Sequence, residues 1–248
     1  MAKAGVEAWL RGAGVRWDEA AIEIREQGGY SGPGLGVFAV SDIAEGATLC
    51  SIPKSALLSI RNTDVADLIE EEELGGGLGL VFAVAYELAA GAASPWAGYL
   101  ASLPEREYVP FFWADEELAE LAGTELQDKP QADRQLARED YDAHVAPLLA
   151  RHPKRLPAIS YELFSRAASL VASRAFGVDD WHGESMVPLA DIFNHKAAIV
   201  SLSEGYSVAG QPGSSSSEDE EGGEQEAGKE EDGSPGSDGK EEEEEEED

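Results

Sequence analysis

Three short stretches of this 248-residue chain combine residue types and spacings that could do chemistry. The first is Gly32-x-Gly34-x-Gly36. Without Cβ atoms, backbone amides there can approach a ligand closely, and a plain hairpin turn would use the same freedom. The spacing is not the G-x-G-x-x-G dinucleotide fingerprint, and strand formers rather than a helix follow it. The second stretch is Ser173-Arg174, at the end of an apolar helical pattern. Its arginine either serves a site or is a surface charge favoured near a helix C-terminus. The third is Asp191-Ile192-Phe193-Asn194-His195. A buried Asn or His left without hydrogen-bond partners costs roughly 1–3 kcal/mol, so this string is either a turn satisfied by backbone or part of a ligand site. Metal chemistry is not expected: His144, His152, His182 and His195 are scattered without ligand spacing. Cys50, the single cysteine, allows no intramolecular disulfide.

Hydrophobic periodicity predicts the elements that must position these stretches. Val6 to Leu10 reads as a short helix stopped by Gly12 and Gly14, and Ile22 and Ile24 alternate with Glu23 and Arg25 as in a half-buried strand. Val37 to Val40 and Thr48 to Ile52 are β-prone, with Pro53 ending the latter. From Asp64 to about Phe176 the period becomes helical. Val65, Leu68 and Ile69 share one face, the triplet Gly75-Gly76-Gly77 breaks the pattern, and Leu78 to Ala90 resumes it. Ser94-Pro95-Trp96 and Asp115-Glu116-Glu117 mark helix starts. Gln131 to Ala150 and Tyr161 to Phe176 read as the longest helices, the second capped by Ser160 with Leu163, Ala167, Leu170 and Val171 on one face. Short non-helical pieces return at Met186 to Asp191 and Tyr206 to Val208. This order suggests a β domain with a helical insertion, an α+β arrangement.

Charge divides the chain again. Of its 50 acidic residues, 18 lie in Ser214 to Asp248 against only Lys229 and Lys240. Such a Ser, Gly and acid tract has no apolar surface to offset the roughly 1–2 kcal/mol per residue of backbone ordering, so a disordered tail is expected. A net charge of −32 and a pI near 4.2 argue against direct nucleic-acid binding and favour a basic protein partner. The clean apolar run Leu78 to Tyr86 is about half of the ~20 residues a membrane helix needs, and Glu87 closes it, so no membrane contact is expected. Met1 to Trp17 resembles neither a signal nor a transit peptide, which leaves nucleus or cytoplasm as the expected location.

Together the motifs resemble a known family. The residues that carry the resemblance are Gly34-Leu35-Gly36-Val37-Phe38-Ala39, Asp42-Ile43-x-x-Gly46, Ile52-Pro53, Ser173-Arg174-Ala175-Phe176 and Val187-Pro188-Leu189-Ala190-Asp191-Ile192-Phe193-Asn194-His195. Over roughly Gly5 to Val208 the chain resembles the SET-domain protein methyltransferases, in the class of the Rubisco large-subunit methyltransferase and related ribosomal-protein and nuclear lysine methyltransferases. The resemblance implies a β-rich SET domain in residues 1–63 and 166–213 and a helical insertion in 64–165, followed by the disordered acidic tail, 214–248. It also implies S-adenosylmethionine in a cleft lined by backbone of Gly34, Leu35 and Gly36. Ser173 and Arg174 match positions beside the cofactor, where a guanidinium can meet a carboxylate as a fork. Asn194 and His195 match the pair that contacts the adenine and amino-acid ends, and Asp191 supports that turn. Tyr206, twelve residues after Asn194, matches a tyrosine facing the methyl-transfer channel.

The implied activity is methylation of a protein lysine, in a ribosomal protein, a histone or another basic protein, by a monomeric enzyme. A lysine of pKa near 10.4 must shed a proton before its lone pair attacks, and the protein must supply in-line positioning and a dry channel. The family continues past the Asn-His turn with further strands, a Gly-Glu pair, an Asn-x-Tyr-Gly element carrying its principal active-site tyrosine, and a helical substrate-binding domain. None is present in the sequence. An incomplete form is therefore expected, either a piece of a longer product or a truncated homologue, with weak cofactor binding and little turnover. Two alternatives stand beside the lysine methyltransferase: an inactive SET-like module whose acidic tail holds basic proteins, and a protein-histidine methyltransferase.

Overall fold

The computed structural model describes residues 3–29 and 32–194. His195, Tyr206 and the acidic tract Ser214 to Asp248 lie outside the described residues. The chain opens with helix α1 (Lys3–Gly12), which buries Val6 and Leu10 and ends ahead of Gly14, whose φ of +82° a glycine tolerates best. Strand β1 (Arg16–Trp17) pairs antiparallel with β4 (Cys50–Ser51), and between them β2 (Ile22–Gly29) and β3 (Gly32–Ala39) form a two-stranded hairpin. Ile22 and Ile24 are buried, as the alternation predicts. Two corrections arise here. Gly34 to Gly36 belongs to the strand, paired across from Gln27, Glu26 and Arg25, rather than to a turn. Of the β-prone Thr48 to Ile52, only Cys50 and Ser51 pair as a strand.

After β5 (Leu58–Ser59) the chain is mainly helical: α2 (Ala66–Glu71), α3 (Gly76–Ala90), α4 (Ala97–Leu100), α5 (Asp115–Leu118), α6 (Lys129–Asp140), α7 (Ala146–Arg151) and α8 (Tyr161–Arg174). Ser160 caps α8 as expected, whereas Ser94 does not cap α4: that helix begins at Ala97, and Ser94 Oγ accepts the Trp96 N–H at 3.1 Å instead. Ser160 Oγ accepts the Leu163 N–H at 3.1 Å, and the Glu117 carboxylate accepts the Ala114 N–H at 2.9 Å. The stretch expected as one helix from Gln131 to Ala150 runs through a π-helical turn, Tyr141–Val145, between α6 and α7. Pro147, which has no N–H to give, sits at the start of α7 and accounts for the widened turn. Helix α8 stops at Arg174, two residues early, because Ala175–Gly177 leaves as strand β6 and pairs with β7 (Glu184–Met186). The other edge of β7 pairs with β5, setting Leu58 opposite Met186 and joining the chain on either side of the helical block.

Helices α3 and α8 pack at the centre of the larger core. Leu80 to Ala85 face Phe164, Ala167, Leu170 and Val171 in one buried cluster, with Leu163 half-buried at its edge. Glu87 does not close this run at the surface: it is buried, and its carboxylate accepts the Thr63 hydroxyl at 2.7 Å. With the short helical turn that follows, Gly76 to Ala93 is long and apolar enough to cross a membrane, longer than the run read from sequence. Its burial among α2, α8 and β5 makes it the core helix of this fold. Close packing explains Gly79. A Cβ there would lie 2.2 Å from the Leu74 carbonyl oxygen and 3.2 Å from Ile69 Cγ2. Gly79→Ala should therefore lose about 2 kcal/mol or more in urea unfolding, despite alanine's better helix propensity.

A second, smaller core holds the hairpin to the C-terminal end of the described chain. Val6, Leu10, Val15, Ile24 and Ala56 pack with Leu189 and Ile192, and Leu35 and Val37 of β3 rest against them.

Candidate functional site

The second core sets the glycine strand against the Asp191–Asn194 turn, and the Arg174–Asp191 pair adds the end of α8. Leu189 enters its turn at φ +76° and ψ −44°, a region that costs a non-glycine residue roughly 1–3 kcal/mol, and its 2 % exposure shows what holds it there. A single 3-10 turn, Ala190–Ile192, follows and aims Asp191 inward, and Asn194 stands two residues beyond it.

Asp191 and Arg174 meet. The Asp191 carboxylate is fully buried, and its Oδ2 accepts from the Tyr99 hydroxyl at 3.0 Å and from Arg174 Nη1 at 3.4 Å. Arg174 Nη1 also donates to the Asp191 main-chain oxygen at 3.3 Å, while Nε donates to Glu107 at 2.6 Å. The guanidinium is thus clamped from two sides at the point where α8 turns into β6. Its Nη2 has no partner among the described residues, so donor capacity remains. Burial pushes the Asp191 carboxyl up to about 6, although the Arg174 charge and the Tyr99 hydrogen bond pull the other way. Burial first, and the Asp191 charge second, push the Tyr99 hydroxyl far above its ordinary value. Asp191 Oδ1 is buried and has no hydrogen-bond partner among the described residues. The surface-charge reading of Arg174 does not survive this geometry: the side chain is 18 % exposed and ion-paired twice.

Asn194 meets the glycine strand through a residue the sequence did not single out. Gln27, opposite Gly34 in the hairpin, leans along β2–β3 so that a Cβ on Gly36 would lie 2.6 Å from its Cδ. Gln27 Nε2 donates to the Leu35 main-chain oxygen at 3.2 Å and to Asn194 Oδ1 at 3.2 Å, and Asn194 Nδ2 donates back to Gln27 Oε1 at 3.3 Å. Ser173 is exposed on the last turn of α8. Among the described residues no group of three or more His, Cys, Asp or Glu could hold a metal.

Three residues were therefore missed: Gln27, Tyr99 and Glu107. Tyr99 carried a signal, since a buried tyrosine needs a partner for its hydroxyl. Gln27 shares the outward strand face with Glu23 and Arg25, where a polar residue asks for no explanation, and Glu107 stands in an irregular segment without period.

No family model matches the chain. It is 34% identical over 214 residues to the N-lysine methyltransferase SETD6 of Mus musculus, covering 79% of this chain and 44% of that protein. It is 28% identical over 187 residues to the chloroplastic ribulose-1,5-bisphosphate carboxylase/oxygenase large subunit N-methyltransferase of Nicotiana tabacum, covering 73% and 37%. The chain spans less than half the length of these relatives. In fold it matches a crystal structure of the SET domain of LSMT bound to lysine and AdoHcy, with a TM-score of 0.65 at 21% identity over 80% of this chain and 44% of that one. By these matches the chain belongs to the SET-domain methyltransferase family, in the class of the Rubisco large-subunit methyltransferase.

Proposed function

We propose that this chain carries the cofactor half of an S-adenosylmethionine-dependent protein-lysine N-methyltransferase. The observation that supports the reading most is convergence: β3, the end of α8 and the Asp191–Asn194 turn are tied to one another by Gln27 and by the Arg174–Asp191 pair. The residues present fit such a cofactor. Gly34 has open space where a Cβ would stand, Arg174 Nη2 has no partner among the described residues and can meet a carboxylate, and Asn194 keeps one amide proton and one oxygen lone pair beyond its bonds to Gln27. When bound, S-adenosylmethionine supplies a methyl group on a sulfonium, already an excellent leaving group. The chain's own residues would bind and orient: Gly34, Leu35 and Gly36 through main-chain atoms, Arg174 through charge, Ser173 at the rim, and Asn194 through its carboxamide. Asp191, buried beneath Arg174, acts through it. His195 and Tyr206, outside the described residues, join the proposal by resemblance alone.

The same reading assigns residues 1–63 and 166–213 to the SET domain, 64–165 to an inserted helical region and 214–248 to an acidic tail, which the β5–β7 pairing across the helical block supports. The substrate is a lysine-bearing protein, and a chain of net charge −32 favours a basic one. Incubation with methyl-labelled S-adenosylmethionine and a mixture of histones and ribosomal proteins, followed by mass spectrometry, tests the proposal. Little label is expected from the cofactor half alone, any of it on lysine Nζ, and Asn194→Ala should weaken cofactor binding. Label on histidine would replace the proposal with the histidine reading, and no cofactor binding would overturn it.

A further inference from the structure

We infer that Gln27 is a positioning residue for cofactor binding, setting which way the Asn194 carboxamide faces; this rests on the cofactor reading above. A main-chain carbonyl can only accept, so the 3.2 Å contact to Leu35 O fixes the nitrogen end of the Gln27 amide. With Nε2 placed there, its second proton meets Asn194 Oδ1 at 3.2 Å, and Oε1 is left to accept from Asn194 Nδ2 at 3.3 Å. A side-chain amide alone is ambiguous between its two ends, but this chain of bonds is not. The backbone of the glycine strand thereby dictates, through one glutamine, which face of Asn194 donates and which accepts. Gln27 and Asn194 are 167 residues apart, so the pair also locks the hairpin to the turn. Gly36 belongs to the same device, because a Cβ there would lie 2.6 Å from both Gln27 Cδ and Oε1 and would push the amide aside.

The 248-residue chain can be tested by NMR with two variants. Gln27→Met keeps the bulk over Gly36 and removes every hydrogen bond, while Gln27→Glu keeps the shape but cannot donate to Leu35 O or Asn194 Oδ1. In the free protein, the Asn194 side-chain amide signals, identified by their loss in Asn194→Ala, should move in Gln27→Met. If they stay in place, the inference is overturned whatever the cofactor does. S-adenosylhomocysteine, the demethylated cofactor, should then perturb the Gly34 to Gly36 and Asn194 signals of the unaltered chain. No perturbation would overturn the cofactor reading and this role with it. Where the unaltered chain responds, both variants should bind about ten-fold more weakly, the scale of one or two hydrogen bonds, with unfolding midpoints within a few degrees of the parent. A loss under two-fold would overturn the inference and leave the cofactor reading standing, and a loss in Gln27→Glu alone would point to charge rather than orientation and overturn it likewise.

Discussion

Arg174→Ala should cost about 3 kcal/mol of stability at pH 8 and distinctly less at pH 5, measured by urea unfolding at both. The guanidinium is the counter-charge of two carboxylates, Asp191 with no exposed side-chain surface and Glu107 with 13 %. Deleting one member of a buried ionic cluster strands the others, which typically costs 3–5 kcal/mol, far more than an exposed ion pair is worth. Asp191 has an escape that most buried acids lack near neutrality. Its pKa already stands at about 6, so at pH 5 it takes up a proton and the missing charge matters less. Arg174→Lys should recover only part of the loss, since one ammonium cannot reproduce donors to Glu107 Oε1, Asp191 Oδ2 and the Asp191 main-chain oxygen. A loss below 1 kcal/mol at pH 8 would mean that the cluster contributes little to folding and that Arg174 is held there for ligand binding alone.

The contrast between what was and was not legible in the sequence follows the range of each interaction. Ile22 and Ile24, the Ser160 cap and the apolar face of α8 depend on neighbours within a few residues, and they form where the periodicity puts them. Boundaries fail where a distant partner decides. Ala175 and Phe176 continue the helical pattern, but they leave it because β7 offers a ladder. Glu87 looks like the end of an apolar run until Thr63, 24 residues earlier, supplies a hydrogen bond inside the core. At the site, the motif residues are visible because their types are unusual in that order, whereas the residues that aim them are ordinary. Tyr99, Glu107 and Gln27 become informative only when tertiary structure sets them against Asp191, Arg174 and Asn194. Motifs name the groups that meet a ligand, and topology names the groups that hold those still.

Asp191→Asn should remove a pH dependence that the buried acid imposes. With a carboxyl near 6 in the folded chain and near 3.9 when unfolded, Asp191 keeps its proton in the fold across a range where the unfolded chain has lost it. The folded state binds more protons there, so this group's contribution to stability is complete below about pH 4 and declines as pH rises to about 6. Two pKa units correspond to about 3 kcal/mol. Other acids work in the opposite sense. The hydrogen bond from Arg155 holds Asp67 below its ordinary value, as the Lys54 contact does for Asp179 and the Tyr108 hydroxyl for Glu117. Their stabilisation is present at neutral pH and fades as pH falls below about 4. Because those acids are common to both proteins, subtracting the Asp191→Asn curve from the parent's removes them. Asparagine still accepts from Tyr99 and Arg174 and does not titrate, so the difference should fall by about 3 kcal/mol between pH 4 and 6 and stay level to pH 8. A difference that is flat across that window would show that Asp191 is ionised throughout, and that Arg174 faces a fixed negative charge rather than one the solvent can switch off.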